Sequence, residues 1–594
     1  TLIFAIKKYQ EKNMTENTDY KLANIQKREL KLRGLRHEIL ISESEKALDM
    51  ILEAPSPATL VQSFPDQDLY YLMHKIGPYD FIPILAMARS EQWEYILDVE
   101  TWDNDRLDLD YMTKTFDILF QADPQRLLRW VIKEKPDYFE FYLFKNMEIF
   151  VREHDELPPE DFDDYITIDD KFYFRFPEKP EDMDEDLPEQ RNNPEAWELI
   201  EKMVKAVAQM DLSVYHGLLL ETASTLPAET EEEHFRLKNM RLAEKGFLPA
   251  HEALGIYQPT KLSSLRKRPE KDRFTSEPFD PDIPLPPQFF SQFIEGDDLF
   301  VKSLKLLDPE FILHLESELA ALINKIISAD KIKLRSKEDL EKAISKACDY
   351  LNLGLEVILK GEKKPELAIG VIREYFLEDI FRSGSRAGLK LKTKAFNWFR
   401  QSFMNKNDLP LSFLGETYLG VIGGLFLDRP LYYDNYAAGK LYRDFKSISD
   451  IIVTSKALEQ IIALDKVLGL IDADINSFEQ GVLTFKTLIL TLWAKDRLKL
   501  APDLEPIDTI IFKKFFIALF SKSDSKQSPG IQLQDLALWI SEVTDVNETD
   551  FDNAFSQVLS DLIKELEEEY SLVNPENIDP RFIPHFLLKR TDKK

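Results

Sequence analysis

Apolar residues recur along this chain mostly at the three- and four-residue intervals of helices rather than at the alternate spacing of strands. Between residues 20 and 52, Ile25, Leu30, Leu32, Leu35, Ile39 and Leu40 line one side of a segment otherwise crowded by Lys27, Arg28, Lys31, Arg33 and Arg36. This predicts one long amphipathic helix, or two joined at Gly34. From residue 54 to 151 the pattern shortens. Apolar runs such as 69–73 and 81–85 are punctuated at Ser63-Phe64-Pro65, Gly77-Pro78, Arg89-Ser90, Asp123-Pro124 and Lys135-Pro136. Proline is tolerated at a first helical position because that amide has no intrahelical partner, and Ser90 and Asp123 are placed to cap the next helices. Helices of ~10–13 residues are marginal alone. Their order requires that each bury its apolar face on a neighbour, as stacked helical arrays do.

Beyond the array the pattern changes twice. Residues 152–193 form an acidic insertion, in which Tyr165-Ile166-Thr167-Ile168 and Phe172-Tyr173-Phe174-Arg175-Phe176 flank a short polar turn and predict a β-hairpin against the helical body. Helical periodicity resumes over 194–258. Residues 259–292 read as a linker, basic at 261–273 and then proline-rich (Pro278, Pro281, Pro284, Pro286, Pro287), which cannot be helix interior. A C-terminal helical domain is expected over 293–520, with Ser336-Lys337-Glu338-Asp339 resembling a capping box. A polar linker (521–530) and terminal helices with a tail (531–594) follow, and residues 1–19 are expected to be disordered or an upstream extension, since the first methionine is Met14. The acidic run 565–569 should disfavour the end of its helix. The fold class is all-α: a superhelical N-terminal part and a helical C-terminal domain, with one small hairpin.

Composition narrows the function classes. The 594 residues carry a formal net charge of −30, with 44% apolar types, which describes a globular chain. Residues 153–189 alone hold sixteen acidic residues against three basic ones. So negative a surface repels phosphodiester backbones and anionic lipid, which argues against nucleic acid as a general partner. The longest charge-free runs span twelve residues, too short for a membrane helix. No export signal precedes an apolar stretch, so a cytoplasmic address is expected. Cys348 is the single cysteine, which removes intramolecular disulfides and multi-thiolate metal sites, and its helical neighbours Ile344, Ala347 and Leu351 predict a buried position.

Two resemblances enter here. The run 60–69 with Gly77-Pro78-Tyr79-Asp80 resembles the short-helix repeats in the cytoplasmic N-terminal domain of bacterial magnesium transporters, over about 100 residues and on a degenerate motif. More of the chain resembles a bacterial family of uncharacterised proteins of unknown function, carried by the segments 91–98 (Glu91-Gln92-Trp93 to Asp98), 102–108 (Trp102-Asp103 to Asp108) and 241–247 (Arg241-Leu242 to Phe247). That resemblance implies a shared architecture and no particular reaction.

Candidate chemistry is sparse. Asp98, Asp103, Asp105 and Asp108, with Glu100 and Asp110, form an oxygen-rich cluster of the kind Mg²⁺ or Ca²⁺ takes, although Leu107 and Asp108 break the EF-hand pattern. The same residues equally describe a helix junction with capping aspartates. Lys390, Lys392, Lys394 and Arg400, interleaved with Trp398 and neighbouring phenylalanines, suggest an anion or partner surface, or a helix with aromatics inward and lysines outward. No phosphate-binding loop, dinucleotide fingerprint or zinc-helix motif occurs, and His234 and His251 read as packed or surface histidines. With no reaction centre or cofactor motif in view, the expectation is a scaffold or adaptor that binds a protein partner through a repeat surface. The alternatives are a divalent-cation sensor and a hydrolase with a carboxylate-built metal site.

Overall fold

The computed structural model describes residues 28, 31–103, 105–152, 164–176, 193–225, 227–270, 296–334, 336–471, 483–519, 530–547 and 551–589. They are overwhelmingly helical, with three small antiparallel sheets, and the protein is all-α. Packing divides the chain into two units: Thr1–Gln258, Leu265–Cys348 and Lys364–Ile380 form the first, Pro259–Ser264, Asp349–Lys363 and Phe381–Lys594 the second.

The first unit opens with helices α1 (31–41) and α2 (Ser44–Leu52), so the predicted amphipathic segment is two helices. Their joint is not Gly34, which lies within α1, but Ser42-Glu43. There the Ser42 hydroxyl donates to the Glu38 carbonyl oxygen (2.7 Å) and Glu43 turns extended. The short helices α3 (Pro57–Ser63), α4 (Asp66–Ile76), α5 (Ile82–Leu85), α6 (Ser90–Glu100), α7 (Leu109–Ala122), α8 (Pro124–Glu134) and α9 (Pro136–Asn146) follow. From α6 to α9 each packs on the next. Asp123 caps α8 as expected, accepting the Arg126 amide N–H at 3.0 Å. Ser90 does not cap α6: Arg89 occupies that position and its amide N–H donates to Gln92 Oε1 (2.8 Å). The buried Gln92 amide donates in turn to the Val61 and Phe64 carbonyls, tying the start of α6 to the end of α3. The core is aromatic. Trp93 meets Trp130 edge to face and carries the Arg126 guanidinium 4.0 Å from its ring centre, while Phe116 is edge-packed by Tyr138, Phe139 and Tyr142.

The predicted hairpin is present as β4 (Ile166–Thr167) and β5 (Phe172–Arg175), and a third strand, β3 (Glu148–Val151), pairs antiparallel with the other edge of β5. Four residues were too few to separate β3 from the helical array by periodicity. It is a strand because β5, buried through Phe172, Tyr173 and Phe174, needs a second partner for its backbone. Helices α10 (Pro194–Met210), α11 (Leu212–Ser224) and α12 (Pro227–Glu244) pack back onto α9. The short α13 (Ala250–Ala253) lies on α15 (Pro309–Ala329), and α14 (Leu299–Leu304) on α17 (Pro365–Glu374).

Residues 265–270, expected as linker, are part of this packing. Arg268 is buried, paired with Glu318, and its amide N–H donates to the Glu374 carbonyl (2.8 Å), while Arg266 forks onto Asp379. A lysine- and arginine-rich string reads as solvated until its carboxylate partners, distant in sequence, are known. The proline run 278–287 and the polar linker 521–529 lie outside the described residues. Cys348 is half-buried rather than buried.

In the second unit, α20 (Gly415–Phe426) packs on α21 (Ile448–Leu468), which packs on α25 (Asn553–Tyr570), with α24 (Gly530–Thr544) against α25 and α22 (Phe485–Arg497) against α23 (Thr509–Leu519). The acidic end of α25 is compensated from outside the helix: Glu565 pairs with Lys486 and with His585 Nε2 (2.9 Å). No helix among the described residues is long and apolar enough to cross a membrane.

Candidate functional site

The segments 91–98, 102–108 and 241–247 meet in the first unit around a cavity of about 510 Å³. Asp98 and Val99 enter it from the end of α6, Trp102 and Asp105 from the hairpin of β1 (Trp102–Asp103) and β2 (Arg106–Leu107), and Phe235, Lys238 and Leu242 from α12. Phe247, Ile327 and Ile332 close it on an apolar side.

Local chemistry explains each wall. The helix α12 ends in a Schellman turn, with the Phe247 amide N–H donating to the Leu242 carbonyl (2.9 Å) across Gly246 at φ +88°. A side chain at Gly246 would stand 3.1 Å from the Ala321 backbone, so glycine lets the turn lie close on α15, where Asn324 donates to the Lys245 carbonyl (2.6 Å). The hairpin is held to α12 by the Leu107 amide donating to Glu231 Oε1 (2.7 Å). Arg241, on α12, forks onto Asp98 of α6 at 2.8 and 2.7 Å and also meets Glu94 (3.1 Å).

Within this frame Lys238 is 7% exposed. Its ammonium lies 4.5 Å from the ring centre of Trp102 and 4.9 Å from that of Phe235. Among the described residues it makes no hydrogen bond and no ion pair. Burial pulls the amine down to about 8, with Asp98 and Asp105 opposing the shift. Two aromatic faces return about 1–2 kcal/mol each at best, whereas removing an ammonium from water costs several. The cavity therefore holds an under-compensated cation against an apolar wall.

The carboxylates singled out from sequence do not converge. Asp98 is engaged by Arg241, Asp103 by Lys333 (2.6 Å), and Asp108 caps α7 through the Tyr111 amide (3.3 Å), while Asp105 lines the cavity. Burial raises the Asp98 carboxyl, with Arg241 opposing it. Among the described residues no group of three or more His, Cys, Asp or Glu is arranged to hold a metal ion. His234 stacks edge-on against Tyr138 and is held by burial at about 4, whereas His251 is exposed.

The basic stretch runs along α18 (Leu377–Phe399) and ends at Arg400, just beyond it. Lys392 donates to the Leu427 carbonyl (2.6 Å), Lys394 pairs with Glu459 (3.0 Å), Trp398 is buried, and Lys390 and Arg400 are exposed.

A second cavity of about 490 Å³ in the first unit is lined by His74, Lys75, Glu100, Lys114 and the start of α16 (Lys337–Ile358). Glu100 Oε1 lies 2.6 Å from the Tyr70 hydroxyl and 2.7 Å from His74 Nε2. The same hydroxyl stands 2.5 Å from the Leu334 carbonyl oxygen, so its single proton faces two acceptors. Burial first, and Glu100 second, keep this phenol protonated. Burial, with Lys337 adding to it, pulls Lys75 down to about 8.

In the second unit sequence reasoning missed a braced hairpin, β6 (Tyr432–Tyr433) and β7 (Tyr442–Arg443). Arg443 bridges Asp434 (2.8 Å) and Asp450 (2.8 and 3.0 Å) and lies 4.3 Å over Tyr432. The bracing holds Asn435 and Tyr436 at positive φ. Lys238 was missed too, although a signal existed: Phe235, Lys238 and Leu242 fall at i, i+3 and i+7, which puts a lysine on the apolar stripe of its helix.

A model of a family of unknown function (DUF6178) matches residues 24–589. No curated protein and no solved structure matches the chain.

Proposed function

We propose that this chain, which belongs to the DUF6178 family of unknown function, binds a small organic anion with an apolar body in the cavity around Lys238. One observation carries the reading: a lysine buried without a hydrogen-bonding or ionic partner among the described residues stands at the wall of a mostly apolar cavity large enough for a small molecule. A carboxylate or phosphate there would supply a direct ionic partner for Lys238, and Trp102, Leu242 and Phe247 would take the apolar body. That the three segments carrying the family resemblance all reach this cavity supports the same location. The test is a thermal-shift and calorimetric screen of short- and medium-chain carboxylates, arylcarboxylates and aryl phosphates against wild type and Lys238→Met. Lys238→Met should raise the melting temperature of the free protein, by the equivalent of about 1–3 kcal/mol, because it removes an uncompensated buried charge. It should also abolish every ligand-induced shift. If no compound shifts wild type more than the variant, the reading is wrong.

A protein-binding scaffold is the second reading, favoured by a specific feature of the second unit: Ile510, Leu572 and Phe582 are 78%, 98% and 72% exposed. Exposed apolar side chains mark a partner surface where they form one contiguous patch, which is what the paired variants below address. Its test is cross-linking at native abundance, with Ile510→Asp and Phe582→Ser losing a stoichiometric partner. Divalent-cation sensing and carboxylate-based hydrolysis rest on Asp98, Asp103, Asp105 and Asp108. Titration calorimetry with Mg²⁺ and Ca²⁺ decides whether those carboxylates release their present partners for an ion.

A further inference from the structure

We propose that Lys238 is a nucleophilic amine that condenses reversibly with the carbonyl carbon of a small 2-oxo acid held in its cavity. This rests on the reading of that cavity as an organic-anion site, and it names the reacting group.

An ordinary surface lysine is a poor nucleophile because it is protonated and hydrated. Lys238 is neither fully hydrated nor fixed by an acceptor. It is 93% buried, since 7% of its surface is exposed, and among the described residues no carbonyl or carboxylate receives its protons. The faces of Trp102 and Phe235 hold the ammonium form in place at the cavity wall. Leu242, Phe247, Ile327 and Ile332 give the cavity an apolar side against which the body of the acid can lie. Burial, which pulls the amine to about 8, leaves roughly 10% of it neutral at pH 7, against well under 0.1% for an unperturbed lysine. Lys331, an exposed side chain at the same cavity, supplies a second cation for the acid's carboxylate.

The step balances without oxidant or reductant. The neutral Nζ lone pair attacks the carbonyl carbon and the C=O π pair moves to oxygen. One N–H proton passes to that oxygen to give a carbinolamine, and the second leaves with the hydroxyl as water when the C=N bond forms. One carbonyl and one amine become one imine and one water.

The experiment uses the full chain with phenylpyruvate as probe and sodium cyanoborohydride to reduce any imine, followed by intact mass and peptide mapping. Phenyllactate, which keeps the carboxylate and ring but lacks the carbonyl, serves as the binding control. The expected result is one dominant adduct on Lys238, formed at least tenfold faster at pH 7 than on any other lysine. Its rate should level off above pH 8 while the surface lysines continue to rise. Lys238→Arg should lose the adduct, and phenyllactate should compete with adduct formation on the wild-type chain. Modification spread evenly over the lysines, or unchanged in Lys238→Arg, overturns the proposal. If phenyllactate binds wild type and phenylpyruvate leaves no adduct, the nucleophile proposal falls while the anion-site reading stands. If neither compound binds, both fall.

Discussion

Individual side chains in this protein are placed by partners far away in sequence, and that sets their titration. Glu565 is held down to about 2, first by the hydrogen bond from His585 and then, against burial, by Lys486. Its folded value lies below the ordinary carboxylate value, so its contribution is complete above about pH 4.5 and is lost as pH falls from there toward 2. Glu565→Gln should therefore flatten the acid limb of a melting-temperature profile within that window and leave the slope above pH 5 unchanged. A variant profile parallel to wild type down to pH 2 would contradict this. Arg443 is the contrasting case, placed by partners only nine and seven residues away, Asp434 and Asp450. Asp450 is buried, yet the Arg443 fork and the Lys446 and Ser447 amides hold its carboxyl low. Only a planar guanidinium serves Asp434, Asp450 and the Tyr432 face together. Arg443→Lys should cost about 2–3 kcal/mol in denaturant unfolding, nearly as much as Arg443→Met.

At the scale of elements, glycine separates helices that need room from helices that do not. On α20 a Cβ at Gly420 would sit 2.3 Å from the Tyr433 ring, and one at Gly424 2.6 Å from the Leu431 carbonyl oxygen. The hairpin of β6 and β7 lies in the space those side chains would fill. On α17 a Cβ at Gly370 meets nothing within 4 Å. Alanine gains about 1 kcal/mol over glycine in a helix interior, whereas a clash with an aromatic ring or backbone oxygen costs about 1–3 or more. Gly370→Ala should thus raise the melting temperature and Gly420→Ala lower it, both read by differential scanning calorimetry. Two changes with equal helix propensity are decided by packing alone.

At the scale of the molecule the net charge of −30 works against compaction. Salt screens that repulsion over about 10 Å at 0.1 M. Melting temperature should rise as sodium chloride increases from about 10 to 150 mM, and a fall would mean that attractive pairs such as Lys333–Asp103 and Lys394–Glu459 outweigh the overall repulsion.

What could be read along the chain was whatever depends on near neighbours. The short helices of 54–151, the Asp123 cap and the β4–β5 hairpin follow from local periodicity, capping chemistry and β-prone runs, which act within a few residues. The strand β3 was not legible, because pairing with β5 made it one. Nor was the burial of Arg268, which depends on Glu318, fifty residues away. The aspartates around Trp102 drew attention as a cluster in sequence, but folding engages Asp98, Asp103 and Asp108 with separate groups. Lys238 became notable for the opposite reason. Local pattern placed it on an apolar stripe, and only the approach of α6, the β1–β2 hairpin and α15 enclosed it without bringing a hydrogen-bonding or ion-pairing group to it among the described residues, since burial and partnership are properties of what surrounds a residue in space.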